Sequence, residues 1–302
     1  VGSAVTHHLV TVEGKGFKYT NPGGFVTREG EQYVLARRNK STDDMGTSDA
    51  ERSSVVLLKR KRTGPNTLID TDIVLLGGRE HAGYEDPRLL PINLSIKDQA
   101  FTYTFVDGKN HYSRLKCLRE GKAAGFSKAM GPPAAPCKNG FLFKAESGGI
   151  IVVSRPDGGP IRFYKLADVS QVLSAFDLWH PMDWWEKRLF AEIRLPKWSR
   201  GMRGEFSHIG FGTIINPRAA IIHFGHSDAQ GKYYVTALQD LAADGTPIGP
   251  PEIITEPAEG LPIGDVPNVI YTMMAWLEGE ELVMWSGHDD TYIVETRMRS
   301  PL

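Results

Sequence analysis

Cysteine is nearly absent from this chain: among 302 residues only Cys117 and Cys137 occur. Two thiols make no disulfide framework, and neither stands in a metal-ligand spacing, so a reducing, cytoplasmic setting is the simpler expectation. No apolar run approaches the ~20 residues of a membrane-spanning helix. No charged segment followed by a hydrophobic stretch marks a secretory leader. An excess of one charge is also lacking. Lys plus Arg number 35 and Asp plus Glu 36, a net −1, which offers no broad attraction to nucleic acid or to an anionic membrane. The one basic run, Lys59-Arg60-Lys61-Arg62, follows the apolar Val55-Val56-Leu57-Leu58 and reads as the solvated close of a strand; a nuclear address is the alternative. Helical periodicity is scarce. Its best stretch is Val169 to Leu178, and Pro181 limits any extension.

What the chain has in quantity is short strand-like runs and turn residues. Gly numbers 32 and Pro 19. Runs rich in β-branched and aromatic residues include Gln32 to Ala36, Ser54 to Leu58, Ile73 to Leu76, Phe101 to Val106, Gly149 to Val153, Arg162 to Tyr164, Ala219 to His223, Tyr233 to Ala237 and Leu282 to Trp285. No linker divides them. Residues 1–302 therefore read as one all-β domain, a propeller or a barrel. Five propeller blades would take roughly 60 residues each. The polar stretch from Asn39 to Arg52 reads as a long loop placed to act as a lid. Trp179, Trp184 and Trp185 serve either packing or stacking on sugar rings.

Gly83-Tyr84-Glu85-Asp86-Pro87-Arg88-Leu89 concentrates two carboxylates, a phenol and a guanidinium around a proline. Proline pushes the preceding Asp86 toward extended backbone, a restraint suited to a carboxyl that delivers a proton in one direction. A surface turn is the competing reading. Other polar motifs recur beside strand-like runs: Asn21-Pro22-Gly23, Arg37-Arg38-Asn39, Lys138-Asn139-Gly140, Ser154-Arg155-Pro156, Glu205 to Gly210, His223 to His226, Pro267-Asn268 and His288-Asp289-Asp290. A propeller brings such residues around one central pocket. Lys138, Arg155 and a neighbouring histidine then supply cationic donors for an oxyanion, most plausibly phosphate. A structural ion pair, a solvated lysine and a plain Asn-Gly turn are the competing readings.

In their order, these segments resemble glycoside hydrolase family 130, the β-mannoside phosphorylases and related mannosidases. The resemblance rests on Glu85-Asp86-Pro87-Arg88, Cys137 to Phe143, Ser154-Arg155-Pro156, Glu205 to Gly212, Asp265 to Val269 and Gly287 to Thr291. It implies a five-bladed β-propeller with an axial active site, and it implies roles. Asp86 is then the catalytic acid of an inverting phosphorolysis. Lys138, Asn139 and Arg155 hold phosphate. Asn21, Arg37, Glu205 and Asp290 hold the mannose unit, Tyr84 lines its subsite, and Glu85, Arg88 and Asn268 belong to the sugar-binding set. The chain departs from the family at His208, where the phosphorylases carry lysine, and at His223-Phe224-Gly225, where they carry Tyr-His-Gly. His208 and His226 are expected to donate hydrogen bonds to phosphate and to add positive charge when protonated.

The function implied is reversible transfer of mannosyl units between β-1,2-mannan oligosaccharides and phosphate, giving mannose 1-phosphate. Inorganic phosphate is the co-substrate, and no cofactor, metal, nucleic acid or membrane partner is expected. The alternatives are a GDP-mannose-dependent β-1,2-mannosyltransferase, a β-mannosidase of the same family, and a noncatalytic propeller that binds sugar or protein.

Overall fold

The computed structural model describes residues 5–14, 16–39, 53–64, 66–77, 82–93, 98–107, 110–129, 137–156, 158–172, 182–195, 200–201, 204–228, 231–257 and 260–302, with backbone alone at 82, 126–129, 200–201, 204–205 and 228. Most of the expected lid, residues 40–52, lies outside the described residues, as do Trp179 and the 173–178 part of the expected helix. Residues 169–172 form a single helical turn.

Strand β1 (Thr6–Glu13) comes first and finds its partners late. Antiparallel four-stranded runs follow. The first comprises β2 (Lys18–Arg28), β3 (Glu31–Asn39), β4 (Ser54–Arg60) and β5 (Thr67–Leu76). The second comprises β6 (Ala82–Leu89), β7 (Asp98–Asp107), β8 (Asn110–Arg119) and β9 (Lys122–Ala129). The third comprises β10 (Cys137–Lys144), β11 (Ile150–Pro156), β12 (Ile161–Leu166) and β13 (Leu189–Ile193), with the short helix α1 (Met182–Glu186) before its last strand. A two-residue ribbon, β14 (Arg200–Gly201) and β15 (Gly204–Glu205), leads to the fourth: β16 (His208–Asn216), β17 (Ala219–Asp228), β18 (Gly231–Leu241) and β19 (Pro247–Thr255). The chain finishes with β20 (Ile270–Glu278), β21 (Glu281–His288) and β22 (Tyr292–Arg299). β1 completes this last set, running antiparallel to β22 from Thr6 to Val10 and then parallel to β5 from Thr11 to Glu13. The two ends of the chain are thereby hydrogen-bonded together, so the unpaired outer edge of β22 is covered.

The first strand of each run faces inward. β2 touches β6 and β20, β16 touches β10 and β20, and β10 packs on β7 and β8. Apolar faces pack neighbouring runs against one another. The largest core cluster packs Phe141, Phe143, Val153 and Phe163 against Phe211, Phe224 and Val235. Each fully buried aliphatic or aromatic side chain there contributes about 1.5–3 kcal/mol. Trp185 is 1% exposed and stands edge-on to Tyr164, while Trp184 covers Trp185 and accepts the Arg188 guanidinium on its face. Neither tryptophan lines the cavity described below; both take part in packing. The basic run closes β4 and continues past it, and its Lys61 and Arg62 pair with Glu13 and Glu31 on the surface.

All five inner strands carry a register slip: Thr20 to Gly24, Glu85 to Arg88, Lys138 to Phe141, Phe211 to Thr213, and Thr272 to Met274. In the first three, the slip contains a residue in the left-handed region: Asn21 (φ 51°), Asp86 (φ 49°) and Asn139 (φ 56°). Asn and Asp tolerate that region best among residues with a Cβ. The extended backbone expected at Asp86 is therefore not what forms. The bulge overrides the bias imposed by Pro87, because the residues freed from the ladder must turn a side chain off the sheet.

Candidate active site

The inner strands surround a cavity of about 380 Å³. One wall is acidic. Asp86 from β6 accepts a hydrogen bond from Asn21 Nδ2 at Oδ1, 2.7 Å away. Beside it Arg37 from β3 pairs with Glu85 across 3.2 Å. Asp290, in the turn after β21, completes this wall.

A second group of lining residues is cationic. Lys138 on β10 and Arg155 on β11 are direct cross-strand partners, both line the cavity, and among the described residues neither is ion-paired. Like charges set opposite one another destabilise a sheet, so this pair costs stability unless an anion lies between them. Arg155 is 8% exposed; its Nη1 donates to the Ile209 carbonyl at 3.1 Å, and its buried Nε finds no partner among the described residues. Lys232 from β18 adds a further cation at the rim.

His208 sits among these cations. Burial, then Arg155, then Lys232, pushes its pKa down to about 4. At neutral pH it is an uncharged imidazole, so the positive charge expected of it on protonation arises only in acid. Its buried Nε2 has no partner among the described residues. Burial holds the fully enclosed His223 well below its ordinary value as well. Burial raises Asp290 against the pull of Arg37 and Lys232, and it raises Tyr234 to about 12.

Space for these side chains is made by glycine. A Cβ at Gly210 would lie 2.0 Å from His223 Cε1, and one at Gly287 would lie 1.8 Å from Asn21 Oδ1.

Of the residues singled out in the sequence, Asp86, Lys138, Asn139, Arg155, His208, Asn21, Arg37, Glu85 and Asp290 converge on the cavity. Four do not. Tyr84 packs with Tyr103 and Phe105 in an apolar cluster between β6 and β7; alternation along β6 turns it away from its neighbour Glu85. Arg88 is 1% exposed and lies beneath the floor, spending its donors on the carbonyls of Gly212, Asp86 and Phe211 and on the Tyr271 hydroxyl. His226 packs against Phe206 and Tyr233. Asn268 acts through its backbone carbonyl, which accepts the Tyr234 amide at 3.0 Å. Glu205 falls in β15, and its side chain lies outside the described residues.

Lys232, Tyr234, Tyr271, His223 and His111 line the cavity without having been assigned a role from the sequence. Tyr234 stood inside a strand-like run whose alternation gives one face to the cavity. Tyr271 lies three residues beyond Asn268. Neither spacing distinguishes a cavity-facing phenol from a core one.

Asn139 illustrates a further adjustment. Its Nδ2 donates to the Tyr271 hydroxyl, and its Oδ1 is buried without a partner among the described residues. The donor expected to meet phosphate is thus engaged inside the floor.

The bulged inner strands thus ring a cavity lined by both acidic and cationic side chains. No protein-family model matches the chain, and no curated protein matches it; solved structures do. MPT-4, a mannose phosphorylase from Leishmania mexicana in complex with phosphate ion, superimposes with a TM-score of 0.66 at 19% identity, over 96% of this chain and 86% of that one. MPT-1, a GDP-Man-dependent mannosyltransferase from the same organism, gives 0.66 at 16% identity over 98% and 90%. The β-1,2-mannobiose phosphorylase of Listeria innocua, in its β-1,2-mannobiose complex, gives 0.63 at 16% identity over 94% and 91%. At the level of fold, the chain matches the mannoside phosphorylases of glycoside hydrolase family 130.

Proposed function

We propose that this protein is an inverting β-1,2-mannoside phosphorylase built as a five-bladed β-propeller. The carrying observation is the cross-strand pair Lys138 and Arg155, which lines the same cavity as Asp86 and has no ion-pair partner among the described residues. The five four-stranded runs, closed by β1, support the blade count. The likeness to MPT-4, solved with phosphate, supports the ligand.

The reaction follows from the two walls. Phosphate lies against Lys138, Arg155 and His208, where charge-assisted hydrogen bonds hold it. The mannosyl unit lies against Asn21, Arg37, Glu85 and Asp290. A phosphate oxygen forms a bond to the anomeric carbon as the bond to the leaving oxygen breaks. That oxygen keeps the electron pair and takes a proton from the Asp86 carboxyl, directly or through a substrate hydroxyl. Phosphate replaces the water-activating base of an inverting hydrolase, so one protein carboxyl suffices. The products are mannose 1-phosphate and a shortened mannoside, and Asp86 regains its proton from solvent before the next turnover.

The test is incubation with β-1,2-mannobiose, with and without phosphate. Mannose 1-phosphate that forms only when phosphate is present supports the reading. Free mannose released without phosphate would identify a hydrolase. Elongation from GDP-mannose, with no use of mannose 1-phosphate, would identify a transferase of the kind MPT-1 is described as.

A further inference from the structure

Arg88 presents a chemical difficulty for the acid proposed above. A carboxyl that must carry a proton lies on the same bulge as a permanently charged guanidinium, and an arginine next to a carboxylate favours the ionised form. Left free, Arg88 would close on Asp86 as a two-pronged ion pair, the preferred geometry of this couple.

The structure holds it off. Arg88 Nη2 lies 3.8 Å from Asp86 Oδ2, beyond hydrogen-bond distance. Every nitrogen of Arg88 is engaged elsewhere. Nε donates to the Gly212 carbonyl at 3.0 Å, Nη1 to the Asp86 backbone carbonyl at 3.1 Å, and Nη2 to the Phe211 carbonyl at 3.3 Å and to the Tyr271 hydroxyl at 2.5 Å. The strongest restraint on Nη2 is therefore a side chain. Tyr271 is itself fixed: its hydroxyl accepts from Asn139 Nδ2 and donates to the Phe211 carbonyl at 3.3 Å, and its ring meets the edge of His223 with centroids 4.2 Å apart. One phenol oxygen thus has both lone pairs and its proton in use.

We infer that Tyr271 is a positioning residue that holds the Arg88 guanidinium away from Asp86, so that the carboxyl can carry its proton into the reaction. The assignment rests on the phosphorylase reading. Among the described residues, the groups around Asp86 are Asn21 from β2, Arg88 on its own strand, Tyr271 from β20, Tyr234 from β18, Asp290 beyond β21 and the Arg37–Glu85 pair. Among them only Arg88 combines a positive charge with a contact to Asp86 and a hydrogen bond to Tyr271.

Tyr271→Phe removes the hydroxyl and keeps the ring. Nη2 is then left with one long bond and can close on Asp86. The expected result is a shift of the basic limb of the kcat/KM pH profile, measured as phosphorolysis of β-1,2-mannobiose, to lower pH by about one unit. On the acid side of that limb, kcat stays within roughly threefold of the unaltered protein. A purely structural role would lower the thermal midpoint and leave the limb in place; an unmoved limb in a folded Tyr271→Phe overturns the assignment. Should that variant not fold, 4-aminophenylalanine at position 271 keeps the ring and a donor to the Phe211 carbonyl but accepts poorly from Arg88, and the same shift is expected from it. If the unaltered protein shows no phosphate-dependent turnover, the proposed function fails and this assignment falls with it. Turnover with an unmoved limb removes this assignment alone.

Discussion

Asp86 is the residue on which the chemistry turns, and Asn21 is the one that aims it. In Asp86→Asn the amide oxygen still accepts from Asn21 Nδ2, so the bulge keeps its shape while the transferable proton is lost. Turnover should fall by about 10²–10⁴-fold. Phosphate should still raise the thermal midpoint of the variant; turnover at the original rate would remove Asp86 as the acid. His208 gives a second prediction. Its pKa falls from 6.5 to about 4 on folding, mainly by burial. The unfolded chain therefore takes up the proton more readily than the folded one. The stability that His208 contributes is complete above pH 6.5 and is lost as pH falls from there to about 4. Asp290, raised by burial, works in the opposite direction: burial penalises the charged form of both groups, but for a carboxyl that form is the deprotonated one, so its contribution is lost as pH rises. His208→Gln should flatten the acid-induced drop in thermal midpoint between pH 7 and 4, and an unchanged slope would place that drop elsewhere.

At the scale of elements, the functional unit is the bulged inner strand. Asn21, Asp86 and Asn139 occupy matching slips on β2, β6 and β10, all with left-handed backbone. The sequence motifs around them were legible as polar clusters beside strands, and their order carried the resemblance to a family. Their conformation was not legible: Pro87 pointed to an extended Asp86, and only the ladder shows that two strands pass each other out of register there. The neighbouring strands must make room. A Cβ at Gly287 would lie 1.8 Å from Asn21 Oδ1 and 2.5 Å from Thr20 Oγ1. Gly287→Ala should therefore cost about 1–3 kcal/mol in denaturant unfolding. It should also reduce turnover beyond what that loss explains, because Asn21 is pushed off Asp86. Full activity in this variant would show that Asn21 is free to shift.

For the molecule as a whole, closure depends on β1. Its first five residues pair with β22 and its last three with β5, so one strand joins the last run to the first. Deleting residues 1–13 should lower the thermal midpoint and promote association through the exposed edge of β22. Thr6 lies opposite Arg297, five residues before Leu302. A permuted chain carrying residues 5–13 after Leu302 on a short turn should recover the midpoint, since it restores the same ladder. A permutant no more stable than the deletion would show that the pairing with β22 is not what closes the ring.

The sequence by itself determined the all-β character, through its short β-branched runs and its abundant turn residues. It also determined the chemical inventory of the site, because a carboxyl beside proline and the paired basic motifs are properties of local sequence. Tertiary structure decided which members of that inventory meet. Tyr84 and Glu85 are adjacent in the chain yet face opposite ways, because a strand alternates its faces. Arg88 and Tyr271 are 183 residues apart yet share a hydrogen bond, because closing the ring brings β6 against β20. Charge, too, was settled by burial: a histidine titrates according to the water and cations around it, and His208 loses the first and gains the second only when the site assembles.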